Sequence, residues 1–167
     1  AKPRPGNDPH LKALENTDCF IAKASNDQQH RVLRNMVASA DIVIDAILGI
    51  GTRLPLGDDL QSILQNVHQA LHTSPTVPEA GILIESDAFT PPHTKKPHII
   101  ALDCPSGVNC DTGETDPNTL HADETITFIA VKRGLVMQPA ATYVGKLHVA
   151  TLGIPEKYTR DEPINFA

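Results

Sequence analysis

The stretch Asp41-Ile42-Val43-Ile44-Asp45-Ala46-Ile47-Leu48 narrows the possible folds more than any other in the chain. It is β-branched and almost continuously apolar, the pattern of a parallel strand covered on both faces, and it stops at Gly49-Ile50-Gly51. Cys19–Ala22, His98–Leu102, Thr125–Val131 and Leu147–Leu152 are further apolar runs that read as buried strands. Between the early runs the apolar period changes to that of a helix. Val32, Leu33, Met36 and Val37 recur at three- and four-residue steps behind a cap at Asn26 or Asp27. Leu60, Ile63, Leu64, Val67 and Leu71 do the same after the polar turn at Gly57-Asp58-Asp59. Strands alternating with helices predict right-handed βαβ units, hence an α/β fold with a mostly parallel sheet. Thr73–Pro97, broken by prolines around Gly81-Ile82-Leu83-Ile84, predicts a surface excursion or small hairpin.

At 167 residues, the chain suits one α/β domain with a real core. Apolar residues at 40% and charged residues at 20% are globular rather than disordered composition, and 4% aromatics make that core aliphatic. A net charge of −6 with scattered Lys and Arg argues against nucleic acid as a partner. No apolar run approaches the ~20 residues that span a bilayer, and no secretory signal is present, so neither a membrane nor an exported location is expected. The expected place is the cytoplasm. Cys19, Cys104 and Cys110 are odd in number and lack CxxC spacing, which suggests neither a disulfide framework nor a zinc ribbon. Cys104 and Cys110 would pair in an oxidising compartment; two reduced thiols are the simpler reading. The start at Ala1, and an end that completes no element, imply a piece of something longer.

Ligands of open α/β sheets sit beyond the carboxyl ends of the strands, and two such ends carry informative residues. After Asp45 come Gly49, Ile50, Gly51, Thr52 and Arg53. The glycines let a backbone approach a ligand closely, and Arg53 offers a fork for phosphate. A tight turn with no ligand explains GxG equally well. After His98–Leu102 come Asp103-Cys104-Pro105-Ser106-Gly107. A carboxylate at a strand end, a proline-fixed turn and an exposed hydroxyl would make an acid/base platform, while an Asp that merely caps its turn is common. Ser106 is not a nucleophile elbow, since G-x-S-x-G is absent. Asp45, in an apolar strand, is costly to bury unless it coordinates a cation or hydrogen-bonds a neighbouring loop. Oxygens from Asp45 and Ser106 would suit a hard cation rather than zinc. His68 and His72 stand four apart on a helix without a third ligand, so they read as a solvated face, and His121 and His148 read as structural.

These segments together resemble a known family. Asp41 to Gly51 is similar to a DxVIDAxFGTG segment of the NAD(P)HX epimerases (YjeF N-terminal domains), and Ile99 to Asn109 with Asp111-Thr112-Gly113 to a DxPSGxxxDTG segment. Ala122–Phe128, Lys132-Arg133-Gly134-Leu135, Gly145-Lys146-Leu147 and Leu152–Pro155 resemble its later landmarks, in order. The resemblance implies a three-layer αβα Rossmann-like domain, incomplete at the N-terminus: residues 1–155 without the first strand and phosphate loop, then a linker or downstream start over 156–167. It implies epimerisation of the R and S forms of hydrated NADH and NADPH (NADHX and NADPHX). Asp103 takes the place of the acid/base at the ligand. Asp45 and Ser106 fall at positions that bind K+. Gly49, Ile50, Gly51, Thr52, Arg53, Leu54 and Pro55 match the loop that contacts the dinucleotide. A homodimer, and a fused or partner ADP- or ATP-dependent dehydratase, are also implied.

This sequence departs from the family pattern in places. A Gly/Asn-rich phosphate loop, which supplies one further potassium ligand, has no counterpart here. Ile50 stands where the family has Thr, and Thr73–Pro97 is longer than the usual connection. The alternative is a non-catalytic dinucleotide-binding or protein-interaction module of the same fold, although a scaffold needs no cation pocket. A Rossmann dehydrogenase would need a third glycine at position 54, where Leu stands.

Overall fold

The computed structural model describes residues 8–72 and 96–154. The expected excursion at Thr73–Pro97 therefore lies almost wholly outside the described residues, as does the expected boundary at residue 155.

Four strands, β1 (Ile42–Asp45), β2 (His98–Leu102), β3 (Glu124–Phe128) and β4 (Lys146–Ala150), form one sheet in the order β1-β2-β3-β4. Every pairing is parallel, with Asp45 opposite Ala101, Leu102 opposite Ile126 and Phe128 opposite Ala150. All carboxyl ends therefore point the same way. The helices are α1 (Pro9–Glu15), α2 (Arg31–Ser39), α3 (Asp58–His72) and the single turn α4 (Ala141–Val144). Of the three strand connections only β1 to β2 contains a long helix; β2 to β3 is an irregular loop folded on itself by an isolated bridge between Val108 and Thr115.

Both amphipathic helices form where their apolar spacing predicts. The N-cap position of α2 is His30 rather than Asn26 or Asp27, but Asp27 supplies the capping bonds across a short 3-10 turn: its carboxylate accepts from the Val32 and Leu33 backbone N–H groups at 2.8 and 2.9 Å. Leu33 and Val37 of α2 pack with Leu64, Val67 and Ala70 of α3 and with Leu56 and Leu120. Val43 and Leu71 link this cluster to the buried strand residues Ile99 and Ala101. A second cluster, Cys104, Val108, Cys110, Leu135, Ala140 and Val144, fills the space under the long loops. Its two thiols are free, as expected, and the Cys104 thiol is pushed up by its hydrogen bond with Cys110 and by burial.

Two strand expectations are corrected. Cys19–Ala22 is not a strand: Phe20 is 71% exposed, and the segment lines a groove with Leu33, Met36 and Ile63 of the helix pair. A four-residue apolar run carries no period that tells a sheet position from a helix-packing one. The run at Asp41–Leu48 shortens to four strand residues and is covered on one face only, because Ile42 and Ile44 are 56% and 60% exposed at the edge of the described sheet. His98 and His148 are structural at the far end of the sheet, where they contact the Glu124 carboxylate at 3.2 and 2.8 Å. Burial opposes ionisation of Glu124, but hydrogen bonds from His98 and His148 outweigh it and hold this carboxyl below its ordinary value. His68 and His72 stack with centroids 6.3 Å apart, His68 reaching the Asn118 carbonyl, and His121 stacks on Tyr143. No helix among the described residues is long and apolar enough to cross a membrane.

Leu64 is 1% exposed at the centre of the α2–α3 contact. Leu64→Ala is expected to lower the unfolding free energy by about 2–5 kcal/mol, read by urea denaturation; a loss well under 1 kcal/mol would show that this contact is not the core.

Candidate functional site

Parallel pairing brings the ends of β1 and β2 side by side, and the loops leaving them are joined by a buried carboxylate. Asp45, 3% exposed, accepts from the Ser106 hydroxyl at 2.5 Å through Oδ1 and from the Ser106 N–H at 2.7 Å through Oδ2. The same serine oxygen accepts the Leu48 N–H at 3.1 Å. The exposed hydroxyl expected at Ser106 is thus overturned: it is fully buried, because Asp45 would otherwise sit in the core without enough partners. Gly107 follows at φ +101°, where a Cβ would clash with the Thr119 hydroxyl. Behind it, buried Asp116 accepts the Leu56 N–H at 3.1 Å and so anchors the far end of the 49–55 loop.

Asp103 stands one residue beyond β2, in the left-handed region at φ +71°, with its N–H donating to the Ile126 carbonyl. It does not cap its own turn. Its Oδ2 accepts from Ile50 N–H in the neighbouring loop at 3.2 Å, and its Oδ1 accepts from Lys132 Nζ at 2.7 Å. Gly49 eases that approach, since a Cβ there would lie 3.0 Å from Asp103 Oδ2 and crowd the carboxylate. Around the ion pair lies an open groove lined by Ile50, Phe128, Ile129, Ala130 and Val131. Ile50 is 67% exposed at its rim. A carboxylate with fixed geometry beside an exposed apolar surface can exchange a proton with a ligand laid across that surface.

Beyond the buried Asp45–Ser106 joint, the expected residues do not all meet at one place. Gly49, Ile50 and Asp103 come together at the groove. Thr52 turns inward, its hydroxyl donating to the Gly49 carbonyl at 2.8 Å, and Gly51 turns at φ +81°. Arg53 is exposed. Leu54 packs against the helix cluster, and Leu54 and Pro55 line a separate groove with Asp116, Pro117 and Pro139.

Lys132 and Asp116 were not singled out from residue chemistry. Lys132 does sit in the Lys-Arg-Gly-Leu landmark, which was the available signal. Asp45 and Ser106 present one carboxylate and one hydroxyl, hard oxygens that fit a monovalent cation in chemistry but supply only part of a shell. Among the described residues no three His, Cys, Asp or Glu side chains gather as a metal cluster.

The sequence profile described as "YjeF-related protein N-terminus" matches residues 4–134. An NAD(P)H-hydrate epimerase of Rhodopirellula baltica is 33% identical over 73% of the chain and 40% of its own length. The bifunctional NAD(P)H-hydrate repair enzyme Nnr of Vibrio cholerae is 34% identical over 73% of the chain and 20% of its own length. The corresponding enzyme of Escherichia coli is 32% identical over 70% of the chain and 18% of its own length. The chain thus spans less than half the length of these curated relatives.

Ser106→Ala would leave the Leu48 N–H without its partner and Asp45 Oδ1 with only a 3.4 Å bond from the Ile47 N–H. A loss of about 1–3 kcal/mol is expected, measured by denaturant unfolding; unchanged stability would mean that the network is not what joins the loops.

Proposed function

Because the chain belongs to the YjeF-related protein N-terminus family, we propose that it epimerises hydrated nicotinamide coenzyme, interconverting the R and S forms of NADHX and NADPHX. The observation that carries the reading is Asp103, held between Lys132 and Ile50 at an exposed apolar groove.

The substrate carbon to be inverted bears a hydroxyl next to the ring nitrogen. As the C–O bond breaks, the nitrogen lone pair forms an iminium and the hydroxyl leaves as water, taking one proton. Water then adds to the opposite face, reforming the C–O bond and returning that proton. Asp103 is the group that gives and recovers it, and its carboxylate favours the cationic intermediate. Ile50, Phe128, Ile129 and Val131 offer the ring an apolar surface. The loop from Gly49 to Pro55, with Arg53 exposed, is the side on which the rest of the dinucleotide would lie.

Asp45 and Ser106 would hold a potassium ion, which supplies a fixed positive charge beside the loop. Bifunctional relatives support extending the proposal to a fused or partner ADP- or ATP-dependent dehydratase. A homodimer and a cytoplasmic location belong to the same reading.

Purified R-NADPHX supplied to the full-length protein should convert to the S form. Asp103→Asn should lose that conversion by about 10²–10⁴-fold while the protein remains folded. Coenzyme binding without conversion by the wild type would instead favour the binding module. Replacing potassium by tetramethylammonium should lower the melting temperature of the wild type and leave Asp45→Asn unmoved, as binding to the folded state alone requires. Equal melting temperatures of the wild type in the two salts would remove potassium from the site.

A further inference from the structure

Lys132 lies four residues past the end of β3, yet its side chain returns over that strand. Nζ donates to Asp103 Oδ1 at 2.7 Å, to Thr127 Oγ1 at 2.8 Å and to the Phe128 carbonyl at 2.8 Å. An ammonium has three N–H donors and no acceptor, so its whole donor set is engaged by the protein. Thr127 is fully buried, and the side chains of Lys132 and Asp103 are only 20% and 17% exposed. A lysine that captures a substrate phosphate keeps a donor free and reaches into water. This one does neither.

The two oxygens of Asp103 are held unequally. Oδ1 carries a short charge-assisted bond to an ammonium fixed on β3, whereas Oδ2 carries a 3.2 Å bond from the exposed Ile50 of the loop. The weaker partner is the one that a ligand can displace.

We propose that Lys132 is a positioning residue for Asp103: it clamps Oδ1 to the end of β3, so that Oδ2 is the oxygen that exchanges the proton with substrate. Thr127 and the Phe128 carbonyl are the other anchors of the clamp. The proposal rests on the epimerase reading for its substrate, but not for the carboxylate geometry.

Two readouts separate the clamp from that reading. In kinetics with R-NADPHX, Lys132→Met should lower kcat about 10- to 100-fold with KM within about threefold, as a misplaced catalytic group does. Lys132→Arg, which keeps the charge, should recover part of the loss. In carbon-13 NMR without substrate, the Asp103 carboxyl resonance (assigned by its absence in Asp103→Asn) should move in Lys132→Met. Thr127→Val, which keeps both charges and removes one anchor, should move the same resonance less and serves if Lys132→Met does not fold.

A moved resonance in a protein whose wild type cannot epimerise NADPHX would end the epimerase reading and leave the clamp standing. An active wild type in which neither kcat nor the resonance responds to these variants would overturn the clamp. So would a loss of kcat that only follows the loss of folded protein.

Discussion

The hydrogen bonds between Asp45 and Ser106 are the interaction on which the rest of the site depends. A carboxylate at the end of an apolar strand has to be supplied with donors, and Ser106 supplies two of them, backbone and hydroxyl. In doing so it draws the turn after β2 against the loop after β1, and its oxygen then takes the Leu48 N–H as well. Gly49 and Ile50 begin immediately beyond that contact, and Asp103 stands three residues before Ser106 in the other chain segment. The proximity of Ile50 and Asp103 is therefore a consequence of how a buried charge is satisfied further inside.

Burial changes along this line. Ser106 is fully enclosed, Asp45 nearly so, Asp103 is one step out, and Ile50 is in solvent. The polar groups that are deepest bond only to one another and to backbone, which makes them structural, or ligands for a simple cation. Those at the rim keep a long bond and an apolar neighbour, which is where a reacting ring has room. One strip of polar residues thus serves as a joint at one end and as chemistry at the other.

The second fixed charge comes from β3. Thr125 and Thr127 alternate on the buried face of that strand; one hydroxyl donates to the Val144 carbonyl, the other accepts from Lys132. A strand face lined with threonine can therefore be fully buried and still polar, because each hydroxyl finds a partner at a strand end or in the segment that follows. The relatives that match this chain are longer than it.

The parallel α/β class, the two amphipathic helices and the strand end beside Asp103 were legible from the residues alone, since periodicity and the covering of a parallel strand are properties of local pattern, whereas Asp45 read as lying inside a longer strand and proves to be its last residue. The sequence misjudged Cys19–Ala22, where four apolar residues hold no period, and it called the Ser106 hydroxyl exposed, since a hydroxyl after a proline turn looks the same whether or not a carboxylate waits beneath it. It also carried Lys132 in a landmark without giving it a role. Which side chains meet is a property of the packed fold: Ser106 answers Asp45 across 61 positions, and Lys132 crosses 29 positions to reach Asp103. Those pairings come from strand register and from where buried donors and acceptors can be satisfied, and both are fixed by the packed sheet rather than by neighbours in the chain.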